Sequence, residues 1–195
     1  MVQKAARRGR PPKFDREAVL DGAVRAFFEN GFESTTLADL ETATGVDRST
    51  LYNSFGGKKG LYDLATTAYL ENADRWLFEP LLEGTDDGYG DLLVFLDRLR
   101  TGLTSDDAIP GCLIVNDMAA GAAPEAAERY RRQLETGLRT ALGRADAADA
   151  PAKAALLVSC VLGVNLVAKV ATDRAEVVRL VDAMVESVLA WSARP

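Results

Sequence analysis

Arg48, Ser49, Thr50, Tyr52, Asn53 and Lys58 crowd a stretch of eleven residues that contains no carboxylate. Their hydroxyl, amide, guanidinium and ammonium groups suit base edges and phosphate oxygens. Bond-breaking chemistry has far less support. The 195-residue chain contains no histidine, which removes His-based triads, His general bases and most imidazole metal sites. It shows no Gly-rich phosphate loop, no paired carboxylates on a recognisable frame and no metal-ligand spacing. No enzyme, cofactor or metal is expected.

The stretch from Leu37 to Lys58, LADLETATGVDRSTLYNSFGGK, predicts the scaffold that holds these groups. Leu37 and Leu40 give one apolar face, Gly45 supplies a residue that accepts positive φ, and Val46 restarts a pattern completed by Leu51 and Phe55. Thr36 with Asp39 three residues on reads as a capping box, and Asp47 as the next N-cap. Val46 and Leu51 then form a hydrophobic staple. The pattern is a helix-turn-helix with Arg48, Ser49, Thr50, Tyr52 and Asn53 facing outward. An earlier helix is predicted over 15–30, with Leu20, Ala23, Val24 and Phe27 on its apolar face and Gly31 as its stop. After the Gly56-Gly57 turn a long helix begins at Lys58 and runs to about Phe78, where Pro80 ends it. Its N-terminal N–H groups and the Lys58 charge form a phosphate clamp.

From about Phe14 to Tyr69 the chain resembles the DNA-binding domain of TetR-family transcriptional regulators. The pattern is carried by Phe27, Gly31-Phe32, Thr35-Thr36, Gly45-Val46, Leu51-Tyr52, Phe55, Lys58 and Leu61. The resemblance implies that Thr36, Tyr52 and Lys58 grip phosphates, while Arg48, Ser49, Thr50 and Asn53 lie on the groove-facing side of the recognition helix. The sequence departs from the family at Glu41, where a small residue is common, and at Asn53-Ser54, where His or an aromatic is frequent. The implied architecture is all-α: a disordered basic arm over 1–13, a three-helix DNA-binding domain over 14–60, and a ligand-binding and dimerisation domain over 61–195. The implied function is a homodimeric repressor released from a palindromic operator by a small molecule. The family's effector pocket, framed by the long linking helix and its successors, would draw on Tyr69, Trp76, Phe95, Cys112, Met118, Leu162 and Asn165. An Arg-Gly-Arg-Pro arm and the Gly111-Cys112-Leu113 segment with Asn116 resemble one TetR subgroup.

A net charge of -6 opposes nucleic-acid binding until its distribution is followed. Residues 1–60 hold ten Lys/Arg against eight Asp/Glu, whereas the remainder holds thirteen against twenty-one. An acidic second part is held off a duplex that the first part attracts. In the arm, Arg8-Gly9-Arg10-Pro11 resembles an AT-hook core, in which Arg8 and Arg10 enter a narrow A·T-rich minor groove. A solvated tail making non-specific phosphate contacts explains the same residues equally well. Two cysteines are too few for a disulfide framework, and a cytoplasmic location follows as the simplest expectation. The uncharged run 154–168 is shorter than a membrane span requires, so no membrane partner is expected.

Further along, 81–89 reads as a surface loop, 92–103 as a helix, and 111–121 as a short apolar helix. Pro124 opens a polar helix to about 143, expected to be a solvated outer helix. Helices over 151–171 and 174–192 carry apolar residues on nearly every face, more than one chain can cover. The resemblance implies that they pair with their copies in a four-helix bundle. Cys112 admits two readings: a reactive sensor thiol at a helix start, or a packed small residue, with packing favoured because no cation lies near it in sequence. A small-molecule or redox-sensing helical protein with little specific DNA binding is the second functional reading.

Overall fold

The computed structural model describes residues 14–105, 109, 111–121 and 124–193, and among them the regular structure is entirely helical. Arg8 and Arg10 lie outside the described residues. Helix α1 spans Arg16–Ser34, α2 Leu37–Thr44 and α3 Arg48–Phe55. Gly31, at φ 74°, interrupts α1 without ending it, so a last turn continues to Ser34. Val19, Ala23 and Phe27 of α1, Leu40 of α2, and Leu51 and Phe55 of α3 close a first hydrophobic core. Gly22 lets α1 and α2 touch: a Cβ there would stand 2.3 Å from the Ala43 carbonyl oxygen.

Helix α4 spans Gly57–Ala73 and serves two cores. Leu61, Tyr62 and Ala65 belong to the first, while Leu70 belongs to a second built by the rest of the chain. The division expected at residue 60 therefore falls inside a helix. Nor does Pro80 end the linking helix. After Ala73 the chain makes a π-helical turn, Asp74–Phe78, and continues as α5, Glu79–Glu83, because a proline at the start of a helix lacks only an N–H that would have no partner there. The loop expected at 81–89 is thus partly helical, with Leu81 fully buried. Asp87 caps α6 (Gly88–Thr104) by accepting the Gly90 N–H.

Helices α7 (Leu113–Ala119), α8 (Pro124–Arg144), α9 (Ala150–Val170) and α10 (Arg174–Ser192) complete the second core. Helix α8 corrects the expectation of a solvated outer helix. Its charged residues pair along one side, as in Arg131 with Glu128 and Glu135, but Ala127, Tyr130, Leu134, Leu138, Ala141 and Leu142 are buried on the other. Arg144 at its end donates to the buried Asp91 carboxylate and to the Pro80 and Leu81 carbonyls, fastening α5, α6 and α8 together. Helix α9 is longer than its uncharged run suggested. At 21 residues with mean hydropathy 1.8 it is long and apolar enough to cross a membrane, yet here it packs on α7, α8 and α10.

Helix α7 joins the two cores. Leu113 enters the first core whereas Ile114 and Val115 enter the second. Tyr62 of α4, packed edge-on against Phe27 at 5.0 Å, donates its hydroxyl to the Asp117 carboxylate on α7. Asp117 is only 4% exposed, and burial raises its pKa although the Tyr62 bond opposes the shift.

Two outcomes are expected. Gly22→Ala should destabilise the protein by about 1–3 kcal/mol, because a collision with backbone outweighs the roughly 1 kcal/mol gained from alanine's helix propensity. Thermal melts of the variant check this. For Asp117 the folded pKa stands above the ordinary 3.8, so the neutral acid is favoured by folding. Its contribution is present below pH 3.8 and is lost as pH rises through the elevated folded value. Denaturant titrations across pH 3–7 should show that fall in the parent protein and a flatter profile in Asp117→Asn.

Candidate nucleic-acid interface and effector cavity

The presentation of α3 starts with short-range capping. Thr36 accepts the Asp39 N–H at 3.2 Å and Asp39 accepts the Thr36 N–H at 2.8 Å, which closes the expected capping box at α2. Gly45 turns the chain at φ 69°. Asp47 then accepts the Thr50 N–H at 2.6 Å, and Val46 and Leu51 are both buried, as a staple requires. The hydrogen bonds from Thr36 and Thr50, backbone first, hold the Asp39 and Asp47 carboxyls below their ordinary pKa.

Glu41 adds a contact that sequence reasoning missed. Its Oε1 accepts the Arg48 N–H at 2.7 Å, and its Oε2 lies 4.0 Å from the Arg48 guanidinium. Two carboxylates, from Asp47 and Glu41, therefore satisfy the first N–H groups of the recognition helix. The side chains are seven residues apart across a turn, so helical spacing gave no signal for the pair.

Arg48, Ser49, Tyr52 and Asn53 all face solvent, and Thr50 is half-buried. Tyr52 is 56% exposed although its ring rests against Gly57, where a Cβ would stand 2.9 Å away. Asn53 donates to the Ser49 hydroxyl at 3.2 Å, which holds the two polar tips together on one face. Thr36 stands exposed at the start of α2. Lys58 is placed differently from a free point charge: its ammonium donates to the Glu33 carbonyl at 3.0 Å and lies 4.6 Å above the Phe32 ring. Gly56 caps α4 without a side-chain bond, so the first N–H groups of α4 have no side-chain cap beside Tyr52.

In the second core a cavity of about 210 Å³ opens beneath the π-helical turn. Of the residues expected to line it, Tyr69, Trp76, Cys112 and Asn165 do so. Phe95 does not: it is fully buried and stacks on Phe78 at 6.3 Å. Met118 and Leu162 are half-buried against the core and do not reach the cavity either. Tyr130 of α8 lines it, unanticipated because α8 was read as an outer helix. The spacing of Ala127, Tyr130, Leu134, Leu138 and Ala141 was the available signal.

Cys112 precedes α7 and is 4% exposed, with Tyr69 and Tyr130 beside it on the cavity wall. Burial raises its thiol pKa, and it raises those of Tyr69 and Tyr130 as well. The desolvation of this site outweighs the helix N-terminus, so the thiol stays neutral and poorly nucleophilic. A larger cleft of about 620 Å³ lies among α1, α4 and the start of α8. Its charged lining is mostly committed, with Lys59 paired to Asp63 at 2.7 Å and Arg129 to Asp74 at 3.2 Å. Helices α9 and α10 leave Leu156, Leu166, Val170, Leu180 and Leu189 exposed, and of these Leu156 and Leu180 line an apolar groove of about 430 Å³.

Comparison with known proteins accords with this arrangement. Residues 19–65, which include the helix-turn-helix, match the bacterial regulatory proteins of the tetR family. The chain is 30% identical over 178 residues to the uncharacterized HTH-type transcriptional regulator YezE of Bacillus subtilis (strain 168), covering 85% of this chain and 91% of YezE. It is 34% identical over 116 residues to the HTH-type transcriptional repressor ComR of Escherichia coli (strain K12), where the match spans 56% of this chain and only 52% of ComR. A solved cysteine mutant of the TetR family regulator CifR, complexed with 26-base-pair operator DNA, superposes with a TM-score of 0.75 at 28% identity, covering 95% of this chain and all of that one. These relatives are regulators and not enzymes. The reading helix on its shared core and the near full-length likeness to YezE lead to one assignment: this chain belongs to the TetR family of bacterial regulatory proteins.

Proposed function

We propose that the protein is a cytoplasmic, homodimeric repressor that binds a palindromic operator and is released by a small molecule. The observation that carries this reading is α4, which packs with the reading helix at one end and lines the cavity with Tyr69 at the other. The names of ComR as a repressor and of CifR in complex with operator DNA support the DNA half of the reading.

Dimerisation rests on the apolar groove between α9 and α10. Leu156 and Leu180 stand exposed along it, and a self-complementary four-helix contact covers it on both copies at once. A dimer must set its two recognition helices in successive major grooves, about 34–36 Å apart. An effector acts only through a different affinity for the docking and non-docking separations. Two routes lead from the cavity to the reading head: α4 directly, and α7, whose N-cap Cys112 lines the cavity while Leu113 and Asp117 contact the first core and Tyr62. The competing reading of a redox sensor with little specific DNA binding loses support from the buried, neutral Cys112 thiol.

Selection of genomic fragments by the purified protein at fixed salt, followed by sedimentation of the complex, tests the reading as a whole. A palindromic motif bound by one or two dimers is expected; salt-sensitive binding with no motif overturns it. Within such a motif, Arg48→Ala and Asn53→Ala should relax base preference by ~1–3 kcal/mol at the positions they read. Tyr52→Phe and Lys58→Ala should weaken specific and random DNA alike, the lysine change also flattening the salt slope. Sedimentation of Leu156→Glu and Leu180→Glu should show monomers with unchanged helix content and weakened operator binding.

A further inference from the structure

The cavity beneath the π-helical turn limits what the effector can be, an inference that rests on the second domain being the effector-binding half. Size sets the first limit. An apolar cavity of about 150 Å³ accepts benzene, whereas drug-sized ligands occupy roughly 300–1,000 Å³. At about 210 Å³ this one accepts a single ring with a short substituent. Charge sets the second. Among the described residues no Asp, Glu, Lys or Arg lines the cavity, so an ionic ligand would lose its water without gaining a counter-charge from them.

Hydrogen bonding sets the third limit. Tyr69, Cys112 and Tyr130 gather their polar atoms at one place, and Asn165 contributes an amide that is 2% exposed. One Asn165 N–H is taken by the Val161 carbonyl at 2.8 Å, which leaves the amide oxygen and the second N–H for the cavity. A carboxamide presents the complementary acceptor and donor side by side. Around this polar cluster stand the apolar walls of Trp76, Leu77, Leu99 and Leu103. We propose that the cavity is built for a small neutral aromatic ring bearing one hydrogen-bonding group, of the benzamide class, with its amide on Asn165 and its ring against Trp76.

The position of the cavity also supplies a readout. Trp76 belongs to the π-helical turn, a device that recurs at functional sites, and its ring lies over Gly102, where a Cβ would stand 3.2 Å away. A ring entering below it changes the environment of the indole. Trp191 is the only other tryptophan, so a Trp191→Phe background makes the emission report Trp76 alone.

The test uses three probes of one shape and different charge: neutral benzamide, anionic benzoate and cationic benzamidine, with 4-phenylbenzamide as an oversized control. In full-length Trp191→Phe protein, benzamide at micromolar to millimolar concentration should shift the Trp76 emission saturably and raise the melting temperature. Benzoate, benzamidine and the oversized amide should require at least tenfold more. Asn165→Leu, which keeps the volume but removes the amide, should weaken benzamide at least tenfold while leaving toluene binding within about twofold. Equal binding of the charged probes, or unchanged benzamide affinity in Asn165→Leu, overturns the ligand class and leaves the regulator reading intact. Failure of every probe, toluene included, to bind at millimolar concentration, in protein that still shifts its operator, overturns the cavity as a small-ring site. Saturable probe binding in protein with no operator preference would instead uphold the ligand class and defeat the DNA reading.

Discussion

The Tyr62 hydroxyl bound to the Asp117 carboxylate is the contact on which the relation between the two cores depends. A buried carboxyl with one hydrogen-bond partner is costly when ionised, and apolar packing alone would hold α4 against α7 at lower electrostatic expense. What the bond adds is direction. Tyr62 is locked between Phe27 at 5.0 Å and Phe32 at 4.7 Å, so its hydroxyl reaches Asp117 only when α1, α4 and α7 share one arrangement. Leu113, one residue after the cavity-lining Cys112, sits in the same core. Helix α7 therefore touches the cavity through Cys112 and the core that seats the reading head through Leu113.

The reading head shows a second compromise. A helix that approaches phosphates gains from a free, positive N-terminus, yet α3 has its first N–H groups occupied by Asp47 and Glu41. The two carboxylates fix the angle of a helix that is only eight residues long and has little stability of its own. The N-terminus of α4, by contrast, has no side-chain cap. Lys58, drawn to the Glu33 carbonyl and the Phe32 ring, keeps its charge near α4 while restraining the end of α1. Position and attraction are thus divided between neighbouring helix ends.

Much of the first core was legible in sequence because its signals are local. Thr36 with Asp39, Gly45, Asp47 and the Val46–Leu51 staple all lie within a few residues of the groups they bind. The second core was less legible for physical reasons that differ from helix to helix. In α8 the dense Arg and Glu pairs concealed a narrow apolar stripe of small and aromatic residues, so Tyr130 was missed. Around Pro80 the proline reads equally well as a stop and as the first turn of a new helix, and only the preceding π-helical turn, invisible to a 3.6-residue period, makes the second possible. Of the residues expected at an effector pocket, Tyr69, Trp76, Cys112 and Asn165 line the cavity whereas Phe95, Met118 and Leu162 do not, since an apolar face does not tell core from cavity wall. Glu41 with Arg48 and Tyr62 with Asp117 depend on tertiary approach and left no periodic trace.

Helix α9 shows why hydropathy alone misleads. Its composition suits a membrane span, but its apolar residues divide among distinct tasks. Leu157, Val161 and Val164 enter the core of their own chain, whereas Leu156, Leu166 and Val170 point outward. Asn165 turns its amide to the cavity, and one turn later Lys169 donates to the Phe28 carbonyl at 2.9 Å and lies 4.2 Å over the Phe28 ring of α1. A lipid-facing helix would gain nothing from a polar amide at one wall and an ammonium anchored to the reading domain at its end. A dimer-forming helix gains from both. One helix thus carries a wall of the cavity, an outward apolar face and an anchor on α1.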